Sequence, residues 1–328
     1  METYKSLDRE ILKFVHDDGS ETTMKTIVKG HKLVNPLTKK KDLTLDPDKV
    51  AFFASTSVGC KYQCKFCYLT VKKFPYHNLT FQEIIANLKE AILEALKINP
   101  ELRHKYFKLS WMGMGDALVE AEKLSIVTRA ILYWISSKNL FKGVYGIDIG
   151  SIVPNEPTYL ETSLSHLDSL DKWLRLTRCT FNTVNPGKSP LKFFYSFHSH
   201  SPNLRASLMP NAMKLGLAIP ILKLWAESKR NDIDLIFHYL LLNNKNDDIE
   251  RTKELVSFWN SFGLDDVELR VLRYNECEHT PYRETKQLDE VLEILNKGIN
   301  KLKFQISTGS EIKAACGQFI MKQYEEAK

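Results

Sequence analysis

Three cysteines fall within a span of eight residues, in the run Ser57-Val58-Gly59-Cys60-Lys61-Tyr62-Gln63-Cys64-Lys65-Phe66-Cys67. Thiolates are soft ligands that suit zinc or iron–sulfur clusters. A structural zinc site wants four protein ligands. No fourth Cys or His lies in this loop, and His77 is ten residues past Cys67. Three thiolates on a [4Fe–4S] cluster leave one iron open, and an open iron can bind a small molecule. The spacing, the place of the run behind an apolar strand-like segment and the aromatic Phe66 favour a cluster over zinc or chance. The chain has six cysteines. Of the other three, the plain reading of Cys316 is a small buried hydrophobe, Cys179 reads as structural, and Cys277 is left open between a structural and a functional role.

The elements that must hold this loop alternate. Strand-like runs are Ala51–Ser57, Tyr106–Trp111, Val144–Ile149, Phe193–Phe197, Leu235–Leu242 and Val267–Leu272. Helical periodicity appears between them. In Phe81–Ile98 apolar residues recur at 84, 85, 88, 92, 95 and 96, one face of a helix. Thr80 and Glu83 have capping-box spacing. Further helices are expected at Ala121–Ser136, Pro220–Lys229, Ile249–Phe262 and Gln287–Leu302, with Pro220 in a first turn. Six β-then-α units imply a parallel α/β sheet. The predicted fold class is a partial (β/α)6 barrel whose functional loops follow the strands. Before it, Arg9–His16 and Glu21–Val28 flank Asp17-Asp18-Gly19-Ser20, a hairpin signal. Residues 155–192 are a helical insertion or a functional loop. The expected division is 1–49 for hairpin and basic loop, 50–305 for the core, and 306–328 for a C-terminal segment over the barrel mouth.

The 328 residues are 43% hydrophobic and 26% charged, close to the globular average. That composition excludes collagen, coiled-coil and disordered classes. No apolar run reaches the ~20 residues of a membrane span, and the N-terminus lacks a secretory apolar stretch. A cytoplasmic, reducing compartment is expected, in which thiols persist. Net charge is +6, unevenly placed. Residues 22–41 hold six lysines and no acid, and 172–192 hold five Lys or Arg and no acid. Such stretches suit RNA, or are solvated faces.

Cys-x3-Cys-x2-Cys after a first strand resembles the hallmark of the radical S-adenosylmethionine superfamily. Further segments resemble one branch, the RNA adenosine methyltransferases of the RlmN/Cfr type. Met112-Gly113-Met114-Gly115-Asp116 is similar to MGMGEP, and Gly150-Ser151-Ile152-Val153-Pro154 to SGVVP. Ser196-Phe197-His198 with Leu204-Arg205-Ala206-Ser207-Leu208-Met209-Pro210 is similar to SLH followed by LR and L-P. Leu241 to Asp247 resembles LLDGVND, Asn275 to Tyr282 resembles NPFPGAPY, and Ala314-Ala315-Cys316-Gly317-Gln318 matches AACGQ.

The resemblance implies a [4Fe–4S] cluster on Cys60, Cys64 and Cys67, with S-adenosyl-L-methionine on its open iron. Gly115 and Asp116 would meet the methionine end of that cofactor. Asp148, Ser196, Phe197, His198 and Asn275 would line the rest. Cys316 would receive a methyl group and pass it, by a radical route, to an adenosine carbon in rRNA or tRNA. An electron donor such as flavodoxin or ferredoxin is implied, and no membrane. Three positions depart from the family. Phe53 stands where the family has a cysteine that resolves the RNA adduct. Lys25 replaces a glutamate proposed as a base, and Asp148 replaces a serine. Cys277 is the candidate substitute thiol, and Lys25 either a proton acceptor or a phosphate contact. The family's N-terminal RNA-binding domain is expected to be short or missing. A related radical enzyme with another substrate, or a cluster-binding protein without methyl transfer, are the other readings.

Overall fold

A computed structural model describes residues 1–7, 10–27, 48–71, 73–184, 189–228, 233–277, 280–305, 308–315 and 317–319. Most of the basic loop at 29–49 and Cys316 itself lie outside the described residues. The strands are β1 Glu2–Lys5, β2 Ile11–Val15, β3 Glu21–Ile27, β4 Lys49–Phe53, β5 Ser57–Val58, β6 His77–Asn78, β7 Tyr106–Trp111, β8 Gly143–Ser151, β9 Leu191–Ser196, β10 Asp234–Leu241, β11 Glu268–Arg273 and β12 Leu302–Gln305. The helices are α1 Tyr68–Val71, α2 Phe81–Ile98, α3 Ala121–Ser137, α4 Pro157–Leu176, α5 Pro202–Leu208, α6 Leu215–Ser228, α7 Ile249–Ser261 and α8 Leu288–Gly298.

Ten strands form one open mixed sheet in the order β1-β2-β3-β4-β7-β8-β9-β10-β11-β12. β1 to β4 are antiparallel neighbours. From β4 to β12 every pairing is parallel, and each needs a crossover, which a helix supplies. The hairpin expected around Asp17-Asp18-Gly19-Ser20 is present as β2 and β3, and it extends the main sheet through β4.

Alternation along the strands separates two faces. Phe107, Leu109, Trp111, Ile147, Ile149, Phe193 and Phe237 are at most 1% exposed. They share one core with Leu88, Ile92, Leu124, Ile131, Leu167 and Leu255 from the helices. The opposite parity is polar. Register places Lys13, Thr23, Phe53, Ser110, Asp148, Lys192 and Asp234 in a single row across seven strands. Charges in and beside that row are paired, Lys108 with Asp148 at 2.5 Å and Lys192 with Asp234 at 2.6 Å.

Several boundaries move from the sequence reading. α2 begins as expected, with Thr80 and Glu83 exchanging both capping-box bonds. α6 starts at Leu215, so Pro220 lies inside it and not in its first turn. Pro220 forgoes one helical hydrogen bond, and burial of Leu215, Ala218, Ile219, Leu222 and Trp225 carries the helix through. Residues 155–192 are mainly α4, the helical alternative. Cys179 is exposed after that helix. Among the described residues no helix is long and apolar enough to cross a membrane.

Candidate functional site

The loops leaving the C-terminal ends of the parallel strands converge. After β4, Gly113 N donates to Ala54 O at 3.0 Å and Thr56 N to Met114 O at 2.9 Å. Ser55 Oγ accepts from Met114 N at 3.1 Å and donates to Glu21 O at 2.6 Å. The turn of Met112 to Asp116 is thereby laced to the segment that leads into the cysteine loop. Gly115 has φ +95°, a region open to glycine and costly for other residues. A Cβ there would also run into Thr56 Oγ1 and Ser57 Oγ.

Cys60, Cys64 and Cys67 are free thiols. Cys60 and Cys64 lie against a small cluster that includes Tyr62, Ile152, Leu208 and Met209. Cys67 N donates to Cys64 O at 3.0 Å, and Lys65 N to Leu208 O at 2.8 Å. Burial pushes the Cys60 thiol up to about 11, opposed by the N–H groups of Tyr62 and Gly115 at its sulfur. Burial raises Cys64 well above its ordinary value, and Cys67 and Cys60 raise it further. The three thiols therefore share one locality. They ionise together only with positive charge beside them. Among the described residues no three Cys, His, Asp or Glu side chains are gathered as a single ion requires. The donor set suits an iron–sulfur cluster, since its three ligands are soft thiols near one another and backbone N–H groups already reach the Cys60 sulfur.

Asp116 is 6% exposed. Its carboxylate accepts from Ser151 Oγ at 2.8 and 3.0 Å, from Ile152 N at 2.9 Å and from Leu118 N at 3.1 Å. Burial lifts its pKa to about 6, with those donors holding it down. Ser151 Oγ also accepts from Val153 N at 2.7 Å, so one carboxylate ties the 112–116 turn to the end of β8.

His198 is 5% exposed and has φ +54°. Its Nδ1 accepts from Leu240 N at 3.0 Å, which leaves the ring proton on Nε2. Burial lowers its pKa to about 3, and the Arg205 charge lowers it further. The ring is a neutral donor at pH 7. Phe66, from the cysteine loop, meets it edge-on at 5.1 Å. Asn246 Nδ2 braces the backbone here, donating to His198 O at 2.9 Å and Leu240 O at 2.8 Å.

Other candidates separate. Ser196 is half-buried at the end of β9. Phe197 is fully buried, its ring among Phe237, Tyr239, Phe258 and Trp259. It turns into the core on the helix side, because Phe193, Tyr195 and Phe197 share one parity. Asp148 sits mid-strand on the polar face with Lys108. Asn275 is half-buried, and its carbonyl lies 3.4 Å from the Cys277 thiol.

The C-terminal segment reaches this end of the sheet. Gly317 O accepts from Tyr68 N at 3.3 Å and from Cys277 Sγ at 3.7 Å. Gln318 Nε2 donates to Glu276 O at 3.1 Å. Two lysines of the hairpin hold the same segment. Lys25 Nζ donates to Thr308 O at 2.7 Å and lies 5.5 Å from the Phe53 ring centre. Lys13 Nζ donates to Lys313 O at 2.5 Å and Gln318 O at 3.2 Å, and pairs with Glu21 at 2.5 Å. Sequence reasoning passed over Lys13, Ser151 and Asn246. A lysine inside Ile-Leu-Lys-Phe-Val reads as an outward position, and the acidic Glu21 on the pairing strand was the available clue.

No family model matches the chain. The chain is 26% identical over 329 residues to the dual-specificity RNA methyltransferase RlmN of Sulfurimonas denitrificans, covering 96% of this chain and 82% of that protein. Against the RlmN of Aliarcobacter butzleri it is 26% identical over 318 residues, covering 93% and 78%. The solved structure of a radical SAM methyltransferase from Sphaerobacter thermophilus superposes with TM-score 0.66 at 19% identity, covering 98% of this chain and 80% of that one. At that identity the likeness establishes a shared fold. Over nearly its whole length the chain is similar in sequence, at about a quarter identity, to the RlmN dual-specificity RNA methyltransferases.

Proposed function

We propose that the chain is a radical S-adenosylmethionine enzyme that methylates an adenosine carbon in RNA through a methyl group first carried on Cys316. One observation carries this reading. The residue after Cys316, Gly317, accepts from the backbone of Tyr68, the residue after Cys67, and from the Cys277 thiol. The segment bearing the candidate methyl carrier is thus bonded to the candidate cluster loop.

We read the parallel strands as a partial (β/α)6 barrel, with residues 306–328 over its mouth and 1–49 as an extension. Cys60, Cys64 and Cys67 hold the [4Fe–4S] cluster. When bound, the cluster and S-adenosylmethionine supply the one-electron chemistry that an unactivated carbon requires. Gly115 brings main chain close where a side chain would not fit. Asp116 accepts from within at four contacts, about as many as a carboxylate offers. It therefore fixes the turn, and would hold a cofactor ammonium only in place of one of these donors. Ser196, neutral His198 and Asn275 face the cofactor, His198 as an Nε2–H donor. Phe197 contributes packing and its main chain.

Cys277 takes the adduct-resolving role that Phe53 cannot. A thiol is the best nucleophile available near neutral pH, and its contact with Gly317 O puts it beside the carrier's neighbour. Lys25 anchors the segment at Thr308 O, a third use beyond proton acceptor and phosphate contact. RNA is the polyanionic partner of the basic stretches, a flavodoxin- or ferredoxin-class protein the reductant, and the cytoplasm the compartment.

Peptide mass spectrometry on protein isolated from growing cells tests the reading. S-methylcysteine at Cys316, with a methyladenosine in RNA that disappears when the chain is deleted, is expected. Methyl transfer undiminished in Cys316→Ala removes Cys316 from the mechanism.

A further inference from the structure

Arg205 is a buried cation that meets no carboxylate among the described residues; its guanidinium lies 5.0 Å from the Tyr195 ring centre. It lies on α5 and is 3% exposed. Nη1 donates to Ser196 O at 2.7 Å and Phe197 O at 2.5 Å, and Nη2 to Ile152 O at 3.2 Å and Tyr195 Oη at 2.9 Å. Its Nε is buried with no acceptor. All four oxygens are neutral. No carboxylate pairs with this guanidinium among the described residues, whereas Lys108, Lys192, Arg270 and Lys303 each have one. Burying a charge costs a great deal unless an opposite charge compensates it.

The cysteine loop offers a candidate for the missing anion. The residue beside Cys64, Lys65, is bonded through its N–H to Leu208 O at the end of α5. Cys60 and Cys64 pack against the apolar cluster that holds Leu208 and Met209 from the end of that segment and Ile152, whose carbonyl Arg205 binds. The buried cation and the thiols therefore occupy one apolar compartment, where each lowers the cost of the other.

We propose that Arg205 is the counter-cation of the cluster on Cys60, Cys64 and Cys67, and that its fixed charge raises the cluster's reduction potential. The inference rests on the reading of the cysteine loop as a [4Fe–4S] site. Cluster potentials respond to net charge and burial. Adding an electron makes the cluster more negative, so a nearby cation favours the reduced state. Arg205 is a positioning residue, since its donors are occupied by the main chain of Ser196, Phe197 and Ile152 and by Tyr195 Oη.

The test is an EPR-monitored redox titration of reconstituted protein, with no turnover required. Arg205→Gln should shift the ratio of reduced to oxidised cluster at a fixed poise by about tenfold or more toward oxidised, about 59 mV for one electron. Arg205→Lys keeps the charge and should stay within about threefold of wild type, under 30 mV on the same scale. If Arg205→Gln does not fold, the charge is read in place. Met209 Sδ lies 4.0 Å from Nη1, so Met209→Glu should cancel the cation and lower the potential relative to Met209→Gln. Equal potentials in the Lys and Gln variants, or in the Met209 pair, overturn the inference while leaving the cluster assignment intact. A wild-type chain that takes up no iron overturns both.

Discussion

Replacing Lys13 by Met should loosen the C-terminal segment and destabilise the whole fold, in separable amounts. Lys13 and Glu21 are 1% and 3% exposed and 2.5 Å apart. The same ammonium donates to Lys313 O and Gln318 O and stands 5.3 Å from the Phe319 ring centre. Burial lowers its pKa and Glu21 raises it, so the pair is desolvated but matched. Removing one partner of a buried pair costs about 3–5 kcal/mol. Each carbonyl left buried without its donor adds about 1–3 kcal/mol, unless the segment swings into water, in which case that cost is replaced by lost docking. Against a total stability of about 5–15 kcal/mol, the first term alone is large. Lys13→Met should therefore lower the urea midpoint by the equivalent of about 3–5 kcal/mol. It should also make residues 308–319 sensitive to protease before global unfolding. The double variant Lys13→Met, Glu21→Leu should recover most of the midpoint, because apolar replacement of a buried pair is often neutral. It should not recover protection of the segment, since nothing then donates to the two carbonyls. A Lys13→Met protein within about 1 kcal/mol of wild type, with the segment still protected, refutes this account.

Three further outcomes are expected. Asp116 has its pKa raised from 3.8 to about 6, so the folded state holds this proton more tightly. Its contribution favours folding below pH 3.8 and is lost as pH rises to about 6, about 3 kcal/mol in all; urea midpoints of the cluster-free protein across that window should fall in wild type and flatten in Asp116→Asn, and parallel curves count against it. Gly115→Ala combines positive φ with a clash on two hydroxyls, roughly 1–2 kcal/mol for the backbone and about 1–3 kcal/mol for overpacking. A melting temperature unchanged from wild type would show that the turn is not built this way. Cys277→Ala should accumulate a protein–RNA adduct on a denaturing gel, and normal turnover in that variant would return the resolving step to another group.

The cysteine spacing was fully legible because it is a local property of the chain. So were α2, whose Thr80 and Glu83 cap it by their own contacts, and the strand at Tyr106–Trp111, whose parity divides apolar from polar. What escaped depended on distant partners. Phe197 was assigned to the cofactor by its neighbours Ser196 and His198, although its parity with Phe193 and Tyr195 already pointed to the core. Pro220 signalled a helix start because local propensity cannot see the buried face that extends α6 back to Leu215. Lys13 and Arg205 are charged residues in apolar company. Their partners lie on other strands and loops, so only the assembled sheet shows whether each is solvated, paired or held in reserve.

The anchoring of residues 308–318 by Lys13 and Lys25 spans 283 to 305 positions of sequence. Contacts of such separation close last and slowly, since loop entropy must be overcome before they form. On the ribosome, β4 and the cysteine loop emerge early, and the parallel strands follow in order. The segment next to Cys316 can dock only after the strands that precede it have been made. Synthesis itself thus imposes a sequence of assembly, in which the compartment for the cluster exists before the carrier arm is latched against it. A chain halted before Thr308 would keep the Lys13–Glu21 pair but lack the carbonyls of residues 308–318 that the two lysines bind.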